Sequence, residues 1–396
     1  MKKPALMVFF CAGCLALGAA AWRPQAEAEE SLFIKSAKIY TEGPAGVLRD
    51  AGLLIQNGKI RRIFGKGEGP SIASLGKVRL IDAAGKTIIP GLVDAHTFLS
   101  GYYRLLENTE PITSDLVAAT AFAPLNPEVD EAVRSGITTV NFSPRSENLV
   151  GGMSSILKLI QSSTELPLGR KEAFLKISFN GAMLRPDRAP TSLMGAREML
   201  SQRLKQTKAS AGKKREGVFQ QAGLLKLLEG TIRPMIAASS FAEINTALKW
   251  LEDWGFQGII VGGEEVYLLA DALKDKKIPV LLSPILPAYP DKLVANAFSL
   301  AKQGIAFAFV SQMPEATPLS LRLSALELYR RGLSQEEALK TITIQPARIL
   351  GLADSVGSLE EGKDADLVIF GGEPLDLRSP VEAVYINGRA VFEKGK

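Results

Sequence analysis

The middle of this 396-residue chain alternates short apolar runs with stretches of helical periodicity. In the stretch 242–254, Ile244, Leu248 and Leu251 are spaced to form one apolar face, and 265–273 repeats the pattern. Eight parallel strands joined by crossover helices form a (β/α)₈ TIM barrel of about 250 residues, and the span 87–349 matches that length. The alternation therefore predicts an α/β fold built on such a barrel. The eight candidate strands are 87–93, 137–142, 155–159, 173–179, 232–238, 258–261, 279–282 and 305–310.

The two ends of the chain have a different, β-rich pattern. Residues 32–40 and 52–64 are predicted strands, and Asn57-Gly58 within the second run is typical of a tight hairpin turn. Near the other end, 366–370, 383–386 and 390–392 are predicted strands, with Asn387-Gly388 as a second such turn. We expect 29–86 and 350–396 to form one composite β-sandwich module, the alternative being two unrelated hairpins.

The first 28 residues have the layout of a secretory signal peptide. A short basic start precedes an apolar stretch over 6–21, and 25–28 offers a small-x-small cleavage site after Ala28. We therefore expect export to the periplasm or the extracellular space. An uncleaved anchor and a lipoprotein attached through Cys14 are the alternatives. Because Cys11 and Cys14 both lie in this leader, the mature chain has no thiol for disulfides or metal binding.

The charge of the chain argues against nucleic acid as a partner. The formal net charge is only +5, which is too small to indicate a nucleic-acid-binding surface. One segment, 194–218, is locally basic but lacks aromatic residues, so we interpret it as a solvated helix end followed by a loop. Its basic residues include Lys205, Lys208, Lys213, Lys214 and Arg215.

Several segments together resemble the amidohydrolase superfamily. Residues 89–98 (IPGLVDAHTF) are similar to the signature of its first barrel strand. Residues 338–352 (ALKTITIQPARILGL) resemble its closing helix, and 356–368 (VGSLEEGKDADLV) resemble the run that follows. Within the superfamily, 151–153 (GGM) and 174–177 (FLKI) look closest to the imidazolonepropionase-like and exported dipeptidase-like branch. The resemblance covers nearly all of the mature chain and implies the same barrel.

The resemblance also implies a metal site. In active members, zinc or another divalent metal at the barrel mouth lowers the pKa of a bound water and generates the attacking hydroxide. The family's ligands are two histidines on the first strand, a carboxylated lysine or a glutamate on the fourth, one histidine each on the fifth and sixth, and an aspartate on the eighth. Such an enzyme hydrolyses carbon–nitrogen bonds other than peptide bonds.

This chain retains little of that ligand set. His96 is its only histidine, and Phe98 stands where the family has the second one. Lys176 lies on the fourth strand, near the place of the bridging lysine. The remaining positions that match family ligands are Ala237 and Ser239 on the fifth strand, Gly262 on the sixth, and Gln312 or Ser311 on the eighth. Because a zinc site takes three or four N, S or carboxylate ligands, we expect no bound metal and no catalytic residue.

Other catalytic designs are also poorly supported by the sequence. No serine stands in a Gly-x-Ser-x-Gly context that would make a nucleophile with His96. An oxygen-only site for a hard cation could use Asp94, Glu264 or Glu265, but their spacing does not select it.

Three functions remain open at this stage. The first is a catalytically inactive homologue that acts as a structural or regulatory subunit of an active amidohydrolase relative, in a homo- or hetero-oligomer. The second is a small-molecule binding protein whose site is lined by Phe98, Tyr102, Tyr103 and Arg145. The third is a hydrolase with an atypical metal centre. The sequence does not name the substrate, the ligand or the partner.

Overall fold

The computed structural model describes residues 31–71, 75, 77–160, 168–210, 221–285 and 291–395. The predicted leader, with Cys14, and the basic residues Lys213, Lys214 and Arg215 lie outside these ranges. The strands are β1 (Ser31–Tyr40), β2 (Val47–Gln56), β3 (Lys59–Phe64), β4 (Val78–Asp82), β5 (Thr87–Pro90), β6 (Leu92–Thr97), β7 (Ile137–Phe142), β8 (Val150–Met153), β9 (Ser155–Lys158), β10 (Leu168–Arg170), β11 (Phe174–Ser178), β12 (Arg233–Ala238), β13 (Ile259–Gly262), β14 (Val280–Leu282), β15 (Phe307–Phe309), β16 (Leu367–Phe370), β17 (Val381–Ile386) and β18 (Arg389–Glu393).

Helices alternate with the strands in the middle of the chain, so the fold is mixed α/β. They are α1 (Pro127–Arg134), α2 (Leu193–Ser210), α3 (Ala222–Leu228), α4 (Phe241–Trp254), α5 (Ala270–Asp275), α6 (Asp291–Gln303), α7 (Ser320–Arg330), α8 (Gln335–Lys340) and α9 (Ile344–Leu350). Within the described ranges, no helix has the combination of length and hydropathy that a membrane-spanning segment requires.

Helix α4 confirms the predicted periodicity and shows why it is well defined. Its predicted apolar face is buried. The Ser240 side chain accepts the N–H of Glu243 in a capping box, and Gly255 ends the helix with a left-handed φ of 67°. The predicted helical pattern over 265–273 is only partly correct, because a 3₁₀ turn, Val266–Leu269, precedes the short α5.

The two ends of the chain meet in one sheet. Within the described residues, the strand order is β18-β17-β16-β5-β1-β2-β3, and β4 pairs in parallel with β1. Both predicted turns are present, with left-handed φ angles at Asn57, Gly58, Asn387 and Gly388. The join is direct, because β16 pairs antiparallel with β5. The strands of the two ends therefore form a single eight-stranded sheet and not two separate hairpins.

The first predicted central strand, 87–93, is divided between two sheets. β5 belongs to the sheet of the chain ends, whereas β6 pairs in parallel with β7. The chain crosses from one sheet to the other at Gly91, where an added Cβ would lie 2.1 Å from Thr138 Oγ1. This contact shows why the crossing needs glycine.

The prediction of eight parallel strands is wrong at the third strand. β9 pairs antiparallel with β7, and β8 pairs antiparallel with β11. β7 and β9 are joined by residues 143–154, which include β8 and no helix. A parallel pair needs a crossover connection, usually a helix, so without one the chain returns in the opposite direction.

The remaining central strands are parallel and lead to the site. β11, β12, β13, β14 and β15 pair in that order. An apolar cluster that includes Val93, Met235, Leu281 and Ala308 connects these strands with β6. Just beyond β15, the carbonyl of Met313 accepts the N–H of Phe98 at 3.1 Å. The residues that follow β6 and β15 are therefore neighbours.

Candidate functional site

A buried histidine–lysine pair joins β6 to β11. Lys176 Nζ lies 2.8 Å from His96 Nε2, a hydrogen-bonding distance, and both side chains are buried. The Phe98 ring packs edge-on against the imidazole, with centroids 5.1 Å apart. Lys176 sits opposite Gly152 on β8, where an added Cβ would lie 2.6 Å from the Leu116 carbonyl oxygen. The absence of a side chain there lets the neighbouring loop close over the sheet.

Burial determines the protonation of this pair. Desolvation lowers the pKa of Lys176 to about 7, and the carboxylate of Glu147 only partly opposes this shift. Desolvation, followed by the nearby Lys176 charge, lowers the pKa of His96 well below its usual value. His96 is therefore neutral at pH 7, and its Nε2 can accept a proton from the lysine in a hydrogen bond. The pair carries at most one positive charge.

A second buried contact joins β6 to the segment after β15. Asp94 Oδ1 accepts the N–H of Ser311 at 3.1 Å and the N–H of His96 at 3.3 Å. The Ser311 hydroxyl donates to Asp94 Oδ2. Burial raises the pKa of Asp94 to about 6 although these hydrogen bonds oppose the shift. Both carboxyl oxygens are thus engaged within the protein.

An open cavity of about 420 Å³ lies beside this buried centre. The structure brings two of the predicted lining residues, Tyr102 and Tyr103, to this cavity. Phe98 and Arg145 do not line it: the Arg145 guanidinium lies 3.6 Å from the Tyr102 ring centroid, and the Phe98 ring centroid is 6.4 Å from it. They support Tyr102 from behind. The cavity is lined by Ser100, Gly101, Tyr102, Tyr103, Arg104, Asn126, Glu128, Pro314 and Glu315.

Comparisons with known proteins identify the family. Residues 315–392 match the amidohydrolase family. The imidazolonepropionase of Porphyromonas gingivalis strain ATCC 33277 is 25% identical over 83% of this chain and 84% of its own length. That of Treponema denticola is 24% identical over 92% and 98%. The crystal structure of an amidohydrolase from Thermotoga maritima MSB8 is 29% identical, with a TM-score of 0.83 over 92% of this chain and 100% of its own. These matches support membership of the amidohydrolase superfamily.

The other positions that match amidohydrolase ligands carry no imidazole or carboxylate. Ala237 is a buried strand residue, and Ser239 Oγ accepts the Asn180 amide at 3.3 Å. At Gly262, with φ of 104°, an added Cβ would lie 2.7 Å from Ser239 Oγ, so a larger residue does not fit the present backbone. Gln312 donates its amide to Ser283 Oγ at 3.0 Å.

The donor set does not fit the family's metal. His96 Nε2 is already occupied by Lys176, and both Asp94 oxygens accept protein hydrogen bonds. Glu265 Oε2 accepts the N–H of Phe241 at 2.7 Å, and Glu264 is exposed. Among the residues that the structure describes, no three His, Cys, Asp or Glu side chains are grouped closely enough to hold a metal ion. The residues present thus offer one engaged imidazole where zinc needs three or four ligands.

Sequence reasoning missed two features of this amidohydrolase-type site. It assigned Ser311 only as a possible replacement for an aspartate, although its hydroxyl and N–H both bind Asp94. It also missed Glu128 and Glu315 as cavity residues. The position of Glu128 in the first turn of α1 is typical of a residue that favours helix formation and carries no signal for a cavity.

Proposed function

We propose that the protein is an amidohydrolase-superfamily member that has lost its metal centre and serves as a structural or regulatory subunit of a catalytically active relative. The observation that carries the proposal is the 2.8 Å contact between Lys176 Nζ and His96 Nε2. A metal bound at Nε2 would have to displace this amine. Without the other imidazoles, the remaining metal–ligand bonds could not compensate for the lost hydrogen bond. Changes to groups that only surround the metal ligands already lower metal affinity roughly 10–100-fold, so the loss of the ligands themselves should lower it further.

We further propose that the central strands form a distorted (β/α)₈ barrel with one antiparallel member. The order β6, β7, the β8–β9 segment, β11, β12, β13, β14 and β15 supplies eight positions. The Phe98–Met313 backbone hydrogen bond and the Asp94–Ser311 contacts favour closure between the first and last of these. The proposed domain division keeps 87–349 as this barrel and 29–86 with 350–396 as the β module, in an exported protein. Strand β5, at the start of the first range, pairs within the sheet of the β module.

Metal analysis tests the loss of the metal centre. The mature chain is purified without chelator from cells supplemented with zinc, manganese and iron, and its metal content is measured by plasma mass spectrometry. We expect background metal, and no metal-dependent turnover of imidazolonepropionate or of dipeptides. About one metal per chain would contradict the proposal. If turnover were observed and persisted in the chelator-treated His96→Ala variant, every metal-based mechanism would be excluded. The protein would then be a hydrolase with a metal-free centre.

Partner capture tests the subunit role. The tagged mature chain is crosslinked in cell extract of its source, and the products are identified by mass spectrometry and sized by native mass spectrometry. We expect a second amidohydrolase-family chain that retains its histidine ligands, with altered turnover when the two are mixed. A strictly monomeric protein that captures no related chain, and leaves the turnover of such a relative unchanged, would contradict the role.

Small-molecule binding is a second candidate. The cavity of about 420 Å³ beside Tyr103 favours it, because its volume is within the range of about 300–1,000 Å³ that is typical of ligand sites. This candidate and the subunit role are compatible, since a bound ligand can regulate an assembly.

A further inference from the structure

We propose that the cavity beside Tyr103 binds a small organic cation, which the Tyr103 ring and the carboxylates of Glu128 and Glu315 recognise. The inference rests on the small-molecule candidate above and adds the chemical class of the ligand. It does not depend on the loss of the metal centre, because none of these three residues contacts His96 or Lys176 in the structure.

The loop after β6 presents a supported aromatic surface to the cavity. Ser100 adopts a left-handed φ of 63°, and Gly101 follows it where an added Cβ would lie 2.6 Å from Phe142 Cζ. This tight turn projects Tyr102 and Tyr103 outwards. Tyr102 is held by the Arg145 guanidinium at its ring and by a hydrogen bond from its hydroxyl to Glu315. It forms a fixed wall of the cavity.

Tyr103 differs from Tyr102 in being almost entirely exposed. Its ring meets Tyr102 edge-on, with centroids 4.9 Å apart and planes at 87°, and 90% of the residue is accessible to solvent. The edge contact orients the ring without covering both of its faces. An exposed tyrosine face attracts a cation through the ring quadrupole, and the attraction increases when the cation is desolvated. A ligand in the cavity would supply that cation.

Two carboxylates give the cavity its negative charge. Glu128 Oε2 accepts the N–H of Ser100 at 2.6 Å, which positions this carboxylate at the cavity wall. Glu315 accepts the Tyr102 hydroxyl, lies 3.9 Å from a guanidinium nitrogen of Arg145 and remains half-exposed. Arg104 is the one basic residue of the lining, and it is exposed on a long side chain that can extend into solvent. Arg145, behind Tyr102, is shared between Glu147, with Nε to Oε1 at 2.8 Å, and the more distant Glu315. These three side chains together carry one net negative charge, and Glu128 adds a second.

This combination selects an organic cation over other small ligands. An anion would face two carboxylates. A metal ion such as Ca²⁺ takes six to eight oxygen ligands, whereas Glu128 and Glu315 each already use an oxygen to accept a protein hydrogen bond. An ammonium group attached to an apolar body can contact the ring face and form a charge-assisted hydrogen bond with a carboxylate at the same time.

Calorimetry with three ligands of nearly equal shape tests the charge preference. 2-Phenylethylamine, 2-phenylethanol and phenylacetate are titrated into the chelator-treated full protein at pH 7. We expect the amine to bind about 10-fold more tightly than the alcohol, and phenylacetate to bind more weakly than both. Because the protein is treated with chelator, the measured affinities do not depend on a bound metal. Absence of amine binding would therefore contradict the cation site alone, whereas a bound metal in the metal analysis would contradict the loss of the metal centre.

Variants identify the groups responsible. Glu315→Gln and Glu128→Gln should each weaken the amine about 3- to 10-fold and leave the alcohol unchanged, since glutamine can still accept the hydrogen bonds of Tyr102 and Ser100. Tyr103→Ala should weaken both ligands. The matched control is Tyr329→Ala, an exposed tyrosine on α7 that does not line the cavity, and it should change neither affinity. Equal binding of amine and alcohol, tighter binding of phenylacetate, or no binding of any of the three would overturn the proposal.

Discussion

Two lysines on the central strands have contrasting surroundings. Lys158, at the end of β9, contacts Asp364 at 2.6 Å and Asp366 at 3.1 Å, and also donates to Asn387. The amine of Lys176, at the middle of β11, has one hydrogen-bond partner among the described residues, the His96 imidazole. The ion pairs of Lys158 with Asp364 and Asp366, called the clamp below, link the central strands to the sheet of the chain ends. The second lysine is a buried amine without a counter-charge in contact, an arrangement found at functional sites more often than in structural ones.

The largest expected effect comes from breaking the clamp. Lys158→Met leaves the almost fully buried Asp366 without its cation, whereas Asp364 keeps its ion pair with Lys59 at 2.6 Å. We expect the free energy of unfolding to fall by about 3–5 kcal/mol. Urea unfolding at pH 7 measures it. The control is Lys35→Met, which breaks an exposed pair with Asp82 and should cost below about 1 kcal/mol. Equal effects of the two variants would show that the clamp is not a special contact.

The opposite sign is expected at Lys176. Its folded pKa of about 7 lies below the ordinary value of 10.5, so the folded state disfavours the bound proton. The resulting destabilisation is complete below pH 7 and fades as pH rises towards 10.5. Lys176→Met should therefore stabilise the protein by about 2–3 kcal/mol at pH 6, with a smaller gain at pH 9. Destabilisation at pH 6 would show that the lysine contributes structural contacts that this comparison omits.

A buried acid extends the comparison to negative charge. Both oxygens of Glu42 are buried without a hydrogen-bond partner among the described residues, and burial raises the pKa of Glu42 to about 8. Because the folded pKa exceeds the ordinary 4.5, stability falls as pH rises from 4.5 to 8. Glu42→Gln should be about 1–2 kcal/mol more stable than the wild type at pH 8 and equal to it at pH 4. A gain that does not change with pH would exclude ionisation as its cause.

The smallest effect is expected at the engaged carboxyl. Ser311→Ala removes the hydroxyl that donates to Asp94 Oδ2 but keeps the N–H bond to Oδ1. We expect a loss of about 1 kcal/mol in the free energy of unfolding above pH 6, where Asp94 is ionised, and a smaller loss below it. Ser143→Ala is a suitable control, because this buried hydroxyl donates to the Pro144 carbonyl and not to a carboxylate.

Local features of the fold were predictable from the sequence. The run 137–142 coincides with β7, and the Asn-Gly turns occur where expected, because a strand's apolar pattern and a turn's left-handed φ are determined by adjacent residues. The antiparallel direction of β9 was also accessible in principle, since residues 143–154, with Pro144 and Gly151-Gly152, leave no room for a crossover helix between β7 and β9. The prediction considered the number of apolar runs and omitted the lengths between them.

The site was less accessible to sequence reasoning. The positions of His96 and Lys176 in the family pattern indicated that both residues are relevant to the site. The pattern did not indicate that they are in contact, because they are 80 positions apart in the chain. The Asp94–Ser311 contact joins positions 217 apart. Such pairs depend on how the strands are arranged in the folded protein, and a local sequence pattern does not predict that arrangement. The cavity likewise depends on Ser100 adopting a left-handed φ, which a serine does not signal.

The pairing of β16 with β5 has a consequence for biosynthesis. β5 pairs with β1 on one side and with β16 on the other. A ribosome must therefore add nearly three hundred residues after β5 before its second neighbour, β16, has been synthesised. Until then β5 has an open edge, which is the kind of surface on which growing chains associate wrongly. Nascent chains stalled before β16 should therefore depend on chaperones, and the last strands to be synthesised close the sheet that the first strands began.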